Sequence, residues 1–116
     1  MKDISVIVLC HNNYGISACI DSIISQMELD DELIIVDDHS EGSFWETELL
    51  PYSHNDRICI CSAVKKRGNR AYNRNLGVSK SKNDIFLFLD GDMVLCRGSF
   101  QAFRTAHEKA GYAAFF

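Results

Sequence analysis

Four short apolar runs alternate along the chain with segments of helical pattern. The runs cover 4–10, 32–37, 57–62 and 84–89. In the first, second and fourth runs, β-branched and aromatic residues are typical of strands buried on both faces of a parallel sheet, whereas 57–62 is a shorter alternating strand. Apolar residues at helical spacing or polar starting residues predict helices over 14–26, 69–79 and 99–110. This alternation predicts an α/β fold, a Rossmann-like and mostly parallel sheet flanked by helices.

Capping residues and a proline mark the ends of several helices. Asn12 or Asn13 is available to cap the first helix. Ser43 and Glu46 have the spacing of a capping box, and Pro51 prevents the short helix that they begin from continuing much further. These signals predict where the elements begin and end.

The end of the chain has the pattern of a strand cut short, at 112–116. No linker, internal repeat or low-complexity stretch divides the sequence, so we expect 1–116 to be one α/β unit whose continuation is missing. An open sheet edge there keeps self-association into a homo-oligomer as an alternative.

Polar residues follow three of the predicted strands at the point where each strand ends. They are His11 and Asn12 after the first strand, Asp37 and Asp38 after the second, and Asp90 and Asp92 after the fourth. Ligands of parallel sheets bind outside the carboxyl ends of the strands, so we expect these side chains to line one crevice. Asp90 and Asp92 face the same side of an extended segment and can hold Mg²⁺ or Mn²⁺, ions that commonly share their oxygen ligands with substrate phosphates. An acidic turn is the alternative.

A basic stretch could bind an anion near the same crevice. It consists of Lys65, Lys66, Arg67, Arg70 and Arg74. A solvated helix face is the alternative interpretation. Combined with a metal at Asp92 and a carboxylate at Asp38 that can bind a base or a ribose, the stretch indicates a nucleoside diphosphate as ligand. We expect Asp37 to cap the following loop instead, because adjacent strand residues face opposite ways.

Composition limits the class of protein and its surroundings. A 47% hydrophobic content is compatible with a packed core, and a net charge of −4 argues against nucleic acid as the main partner. No apolar run reaches the roughly 20 residues that cross a bilayer, so we expect a soluble piece, with membrane association only through a longer native protein. Five cysteines without a CxxC pair favour reduced thiols in the cytoplasm. Zinc at Cys10 with His11, or at Cys59 with Cys61, is the alternative.

The chain resembles the nucleotide-binding half of family 2 inverting glycosyltransferases with the GT-A fold. The resemblance rests on four blocks in family-like order and spacing: 5–8 with Asn12, the segment 34–40 (IIVDDHS), 74–77 (RNLG), and the strand followed by Asp90, Gly91 and Asp92. It implies a domain that binds a nucleotide-diphospho-sugar, with a UDP-sugar favoured, through Mn²⁺ or Mg²⁺. It also implies transfer of the sugar, with inversion, to the hydroxyl of a saccharide or lipid-linked saccharide acceptor.

The resemblance also implies residue roles. Asp92 would bind the metal, Asp90 would contact the ribose or the metal, and Asp38 would contact a uracil-type base. The donor-binding candidates are, in full, Leu9, His11, Asn12, Asp38, Arg67, Arg74 and Asp90. The family has its general base in a C-terminal acceptor half, which we expect to be absent here, so no catalytic residue is identified. The chain has His39 where the family commonly has glycine, and Leu9, Cys10 and His11 where it has Pro, Thr and Tyr.

Other classes fit less well. The run 90–94 also resembles motif one of haloacid dehalogenase-type phosphatases, but that motif normally follows the first strand and needs a downstream lysine and acidic pair. A sugar nucleotidyltransferase should have a glycine-rich basic loop after its first strand, and a redox Rossmann domain should have GxGxxG. A non-catalytic nucleotide-binding module, truncated or degenerate, is the alternative from a different class.

Overall fold

The computed structural model describes residues 3–28 and 30–110, which include a four-stranded parallel sheet. Its strands are β1 (Ile4–Cys10), β2 (Glu32–Asp37), β3 (Ile58–Ser62) and β4 (Ile85–Asp90). They lie in the order β3-β2-β1-β4, and every pairing between neighbours is parallel. The predicted α/β fold and its strands are confirmed, and the carboxyl ends of all four strands meet at one edge of the sheet.

Helices cover both faces of this sheet. They are α1 (Ser17–Ile24), a π-helical turn (Trp45–Leu49) that continues into a 3₁₀ turn (Leu50–Tyr52), α2 (Arg70–Lys80) and α3 (Ser99–Ala110). The larger core lies between the sheet and a layer formed by α1, α3 and Phe44. A smaller core lies between the opposite face and α2. Every residue of β1 and β2 is buried, as the continuous apolar runs predicted. The burial predicted for both faces of the fourth strand is wrong, because β4 lies at an edge of the described sheet, where Phe86 and Phe88 are 37% and 45% exposed.

Helix α2 approaches β1 most closely at Gly77. A Cβ atom placed on Gly77 would lie only 2.5 Å from Cγ2 of Ile7, and Ile7 has no exposed surface. A glycine at this position lets the helix backbone lie directly on the strand. This contact determines which face of α2 meets the sheet.

We predict that Gly77→Ala destabilises the fold. Alanine normally gains about 1 kcal/mol over glycine inside a helix, but overpacking a buried side chain costs about 1–3 kcal/mol, and more when it cannot move. We therefore expect a net loss of about 1–2 kcal/mol in the free energy of unfolding, measured by urea denaturation. Asn75→Ala, at an exposed position of the same helix, is the control and should not destabilise. Equal stability of Gly77→Ala and the wild type would contradict the close approach.

Two predicted helix caps are wrong. Helix α1 begins at Ser17 after Ile16, and no side chain caps it. Asn12 has a positive φ of 51° and its Oδ1 accepts a hydrogen bond from the backbone N–H of Glu41 at 2.8 Å, while Asn13 Oδ1 accepts from the N–H of His11 at 2.9 Å. Both amides therefore stabilise the loop after β1 instead of the helix.

The predicted capping box at Ser43 and Glu46 does not form. The π-helical turn follows Phe44, and no side chain caps it. Phe44 is fully buried in the larger core, so packing of its ring determines how the turn begins. By contrast, Asn69 caps α2 as its position suggests, with Oδ1 accepting from the N–H of Tyr72 at 3.3 Å.

Some expectations fall on residues that the structure does not describe. The stop of α3 at Gly111 and the strand at 112–116 lie outside the described residues. In the part that is described, no helix has the length and apolar character to cross a membrane.

A buried ion pair joins α3 to the sheet, at the edge opposite the carboxyl ends of the strands. Arg104 donates to a carboxylate oxygen of Asp31, and the two side chains are 3% and 0% exposed. Asp31 also accepts from the backbone N–H groups of Ile4 and Glu28, each at 2.8 Å. The carboxylate therefore connects three segments of the chain just before β2 begins.

Candidate functional site

A cavity of about 260 Å³ opens at the carboxyl ends of β1, β2 and β4. It is lined by Leu9, Cys10, His11, Asn13, Asp38, Arg67, Arg70, Asn73, Asp90, Gly91 and Asp92. The structure thus brings the predicted carboxylates Asp38, Asp90 and Asp92 together. Their convergence follows from strand order, because β1 lies between β2 and β4.

Asp38 occupies the β2 side of the cavity and is 8% exposed. Its Oδ2 accepts from the N–H of Gly68 at 2.8 Å, and its backbone carbonyl accepts from Nδ1 of His11 at 2.6 Å. Its Oδ1 is buried, and no described residue donates a hydrogen bond to it. His39 Nε2 lies 4.0 Å from that oxygen, too far for a hydrogen bond, and instead donates to the carbonyl of Lys65 at 2.6 Å. Asp38 therefore presents one unused acceptor.

Asp37 stabilises the loop that follows β2, as predicted. Its carboxylate accepts from Ser40 Oγ at 2.5 Å and from Trp45 Nε1 at 2.7 Å. An oxygen of Asp37 also lies 3.6 Å from Sγ of Cys10. Burial of Cys10 raises the pKa of its thiol most, and the negative charge of Asp37 raises that pKa further. His39 in this loop has a φ of 58°, which is a left-handed conformation. Glycine adopts this conformation most readily, which explains why glycine is common at this position in the family that the chain resembles.

Asp90 and Asp92 form the β4 side of the cavity. The extended segment predicted to carry both carboxylates ends at Asp90, and Gly91 and Asp92 lie in a turn in which the N–H of Met93 donates to the carbonyl of Asp90 at 3.0 Å. Gly91 between them donates its N–H to the carbonyl of Leu9 at 2.9 Å, and a Cβ there would lie 3.0 Å from Asn13 Oδ1. Asp90 Oδ1 accepts from Arg70 at 2.6 Å. Asp92 is exposed, and no hydrogen bond or ion pair joins it to another described residue.

The donor set of this acidic pair fits a hard divalent cation. Free carboxylate oxygens are the ligands that Mg²⁺ and Mn²⁺ prefer. Within residues 3–28 and 30–110, no group of three His, Cys, Asp or Glu side chains is placed to hold one ion. Asp90 and Asp92 can therefore supply only part of a coordination shell, as expected of a site that shares its ion with substrate phosphates. Cys19 lies beneath them, and burial together with the Asp92 charge raises its pKa to about 11.

The basic stretch is divided between the cavity and the surface. Arg67 and Arg70 line the cavity, whereas Arg74 lies outside its lining, and Lys65 places its ammonium 5.2 Å from the centroid of the Tyr72 ring. Asn12 also lies outside the lining. The anion site therefore stays a prediction for Arg67 and Arg70, whereas Lys65 and Lys66 are exposed, as on a solvated face.

Sequence reasoning considered Asn13 of the lining only as a helix cap and did not select Asn73 at all, while Arg70 was named only as a member of the basic stretch and not as a donor-binding candidate. Asn73 is 1% exposed, and its Oδ1 accepts no hydrogen bond within the described part of the chain. Arg70 and Asn73 precede Gly77 at helical spacing, by seven and four positions. The glycine that marks the sheet-facing side of α2 was thus the available signal, because residues at such spacing share one face of a helix.

Comparison with known proteins agrees with the fold and with the family that the sequence resembles. The sequence profile described as "Glycosyl transferase family 2" matches residues 5–116. Poly(ribitol-phosphate) beta-N-acetylglucosaminyltransferase TarP of Staphylococcus aureus (strain N315) is 35% identical over 98 residues, which cover 82% of this chain and 30% of TarP.

Solved structures of similar fold were also found. S. aureus TarS 1-349 in complex with UDP-GlcNAc superposes with a TM-score of 0.79 at 20% identity, over 94% of this chain and 32% of that one. A mannosyltransferase from Pyrobaculum calidifontis, in complex with GDP-Man and Mn²⁺, gives a TM-score of 0.70 at 19% identity, over 84% and 30%. The chain thus spans about a third of the length of these relatives. The profile match and the identity to TarP show that the chain belongs to glycosyltransferase family 2.

Proposed function

We propose that the chain is the donor-binding part of a glycosyltransferase that uses a nucleotide-diphospho-sugar, with a UDP-sugar favoured, and transfers the sugar to an acceptor hydroxyl with inversion. The observation that carries this proposal is the cavity at the strand ends, where three carboxylates and two guanidinium groups face one ligand-sized space. The UDP-GlcNAc complex of TarS and the GDP-Man complex of the mannosyltransferase support a nucleotide-sugar as ligand.

The β2 side of the cavity is suited to the nucleoside. Asp38 offers a buried anionic acceptor, and the ring of His11 is held beside it through the 2.6 Å hydrogen bond to the Asp38 carbonyl. A buried carboxylate forms a charge-assisted hydrogen bond with a base N–H or a ribose hydroxyl. We assign base recognition to this side, with Leu9 and His11 as the neighbouring wall.

The β4 side is suited to the diphosphate. Asp92 and the free oxygen of Asp90 would hold Mn²⁺ or Mg²⁺, and the mannosyltransferase complex with Mn²⁺ supports this assignment. The bound ion would supply positive charge that neutralises the diphosphate as the leaving group. Arg67 and Arg70 add fixed positive charge at the same anion, since guanidinium groups bind phosphate oxygens through paired N–H donors.

Two alternatives can be weighed against this proposal. The phosphatase hypothesis is not retained, because the chain belongs to family 2 and Asp90 and Asp92 follow β4 rather than the first strand. A non-catalytic nucleotide-binding module would use the same cavity. No described residue is assigned as the general base, so an activity assay must separate the two.

The name of TarP makes poly(ribitol phosphate) the first acceptor to test, beside the expected saccharide or lipid-linked saccharide.

Calorimetric titration of the chain with UDP, GDP, CDP and TDP, in Mn²⁺ and in EDTA, tests the proposal. We expect UDP to bind most tightly and Mn²⁺ to strengthen its binding. Absence of binding by all four nucleotides would refute the proposed donor site. In the full-length protein, binding of the UDP-sugar without transfer to any acceptor would instead support the non-catalytic module.

We predict that Asp38→Asn weakens UDP binding equally in Mn²⁺ and in EDTA. The amide keeps the shape of the side chain but removes its charge and replaces one acceptor oxygen by a donor. Loss of a charge-assisted hydrogen bond costs about 1–3 kcal/mol. Asp56→Asn is the control, since Asp56 is exposed and precedes β3 at the opposite edge of the sheet. A loss confined to the Mn²⁺ titration would assign Asp38 to the metal rather than to the base.

A further inference from the structure

Two buried oxygens that belong to residues of the cavity lining form no hydrogen bond with any residue that the structure describes, and only one of these two residues is assigned above. They are Oδ1 of Asp38 and Oδ1 of Asn73. Both residues line the cavity and are at least nine-tenths buried. A buried acceptor that pairs with nothing loses its hydration without compensation, so such atoms are rare in folded proteins and call for an explanation.

Among the described residues, no hydrogen bond involves the side chain of Asn73. Its backbone N–H donates to the carbonyl of Asn69 at 3.0 Å in the first turns of α2, so the helix does not depend on its side chain. Gly77, where α2 lies closest to β1, is one turn later on the same side of the helix, and Asn73 belongs to the cavity lining. An apolar side chain would satisfy the packing there at lower cost.

We propose that Asn73 binds the donor nucleotide, with its Oδ1 accepting a hydrogen bond from an N–H or O–H group of the nucleoside. This inference rests on the proposed function. The diphosphate carries acceptor oxygens and is neutralised on the β4 side, so two unused acceptors select the nucleoside end of the ligand. The base N–H and the ribose hydroxyls are the donors available there. Asn73 and Asp38 together therefore form a pair of hydrogen-bond acceptors that recognises the nucleoside.

The test compares Asn73→Ala with the matched control Asn75→Ala, which makes the same change at an exposed position two residues away. Each chain is titrated with UDP in Mn²⁺ by calorimetry, and its melting temperature is measured without ligand. We expect Asn73→Ala to weaken UDP binding about tenfold, which corresponds to about 1.4 kcal/mol. We expect no fall in melting temperature, because the substitution removes an unpaired buried acceptor. Asn75→Ala should change neither value.

Analogues that lack one donor identify the partner. The same titrations use 2′-deoxy-UDP, 3′-deoxy-UDP and UDP methylated at N3 of the base. One of these analogues lacks the group that donates to Asn73. The wild type should bind that analogue as weakly as Asn73→Ala binds UDP. Asn73→Ala should bind the same analogue no more weakly than the wild type does. An equal loss with every analogue, or a fall in melting temperature without weaker binding, would overturn the proposal and leave Asn73 a structural residue.

The result also distinguishes this inference from the function on which it rests. Wild-type UDP binding together with unchanged affinity in Asn73→Ala would refute only the role of Asn73. Failure of the wild type to bind any of the four nucleotides would refute the donor site and the role of Asn73 together.

Discussion

Arg104→Met should destabilise the chain by about 3–5 kcal/mol, the typical cost of breaking a buried ion pair. The substitution leaves the carboxylate of Asp31, which has no exposed surface, without its cationic partner. The two backbone N–H groups that also reach this carboxylate do not supply a compensating charge. Since domains of this size are stable by only about 5–15 kcal/mol, a large part of the total stability would be lost. Urea denaturation measures the difference.

The chain offers a matched control for this prediction in Arg70→Met. Arg70 forms an ion pair with Asp90 at 2.6 Å, but the two side chains are 56% and 46% exposed. Water and salt screen such a pair, so its loss should cost less than about 1 kcal/mol. The double variant Asp31→Asn/Arg104→Met should regain part of the lost stability, because no buried charge is then left unpaired. Equal small losses in both single variants would contradict the assigned burial of Arg104.

Asp92→Asn should abolish most of the strengthening of UDP binding by Mn²⁺, while UDP binding in EDTA stays close to that of the wild type. The amide keeps the size of the side chain but removes the charge of an exposed carboxylate. No described residue forms a hydrogen bond or an ion pair with this carboxylate. Removing a residue that only orients a metal ligand commonly lowers metal affinity about 10- to 100-fold. Removing a ligand itself should therefore lower the metal affinity at least as much. Calorimetry in Mn²⁺ and in EDTA measures both quantities.

The contrast with Asp38→Asn makes the assignment of the two sides specific. Asp92→Asn should remove the dependence on metal, and Asp38→Asn should lower affinity without changing that dependence. Asp56→Asn, at the opposite edge of the sheet, should leave both quantities unchanged. Unchanged metal dependence in Asp92→Asn would remove the main support for a metal at the end of β4.

The strands and the convergence of the carboxylates were predictable because both depend on short-range patterns. Continuous apolar runs identify strands covered on both faces, and the parallel arrangement then brings their carboxyl ends to one edge. Asp38, Asp90 and Asp92 could therefore be placed together before any contact was known. The predicted caps of α1 and of the π-helical turn failed because side chains in loops have several possible partners. Asn12 stabilises the loop at Glu41 instead, and Phe44 is held by the core.

The part of the site contributed by α2 was decided only by tertiary structure. Its residues are polar on most sides, so apolar periodicity does not indicate which face meets the sheet, and Gly77 was the one available signal. The contact of Gly77 with Ile7 fixes the rotation of the helix about its axis. That rotation brings Arg70 and Asn73 into the lining of the cavity and leaves Arg74, one residue further and about 100° around the helix, outside it. The sequence by itself thus determined the sheet and its acidic edge, whereas packing decided which basic and amide side chains reach the cavity.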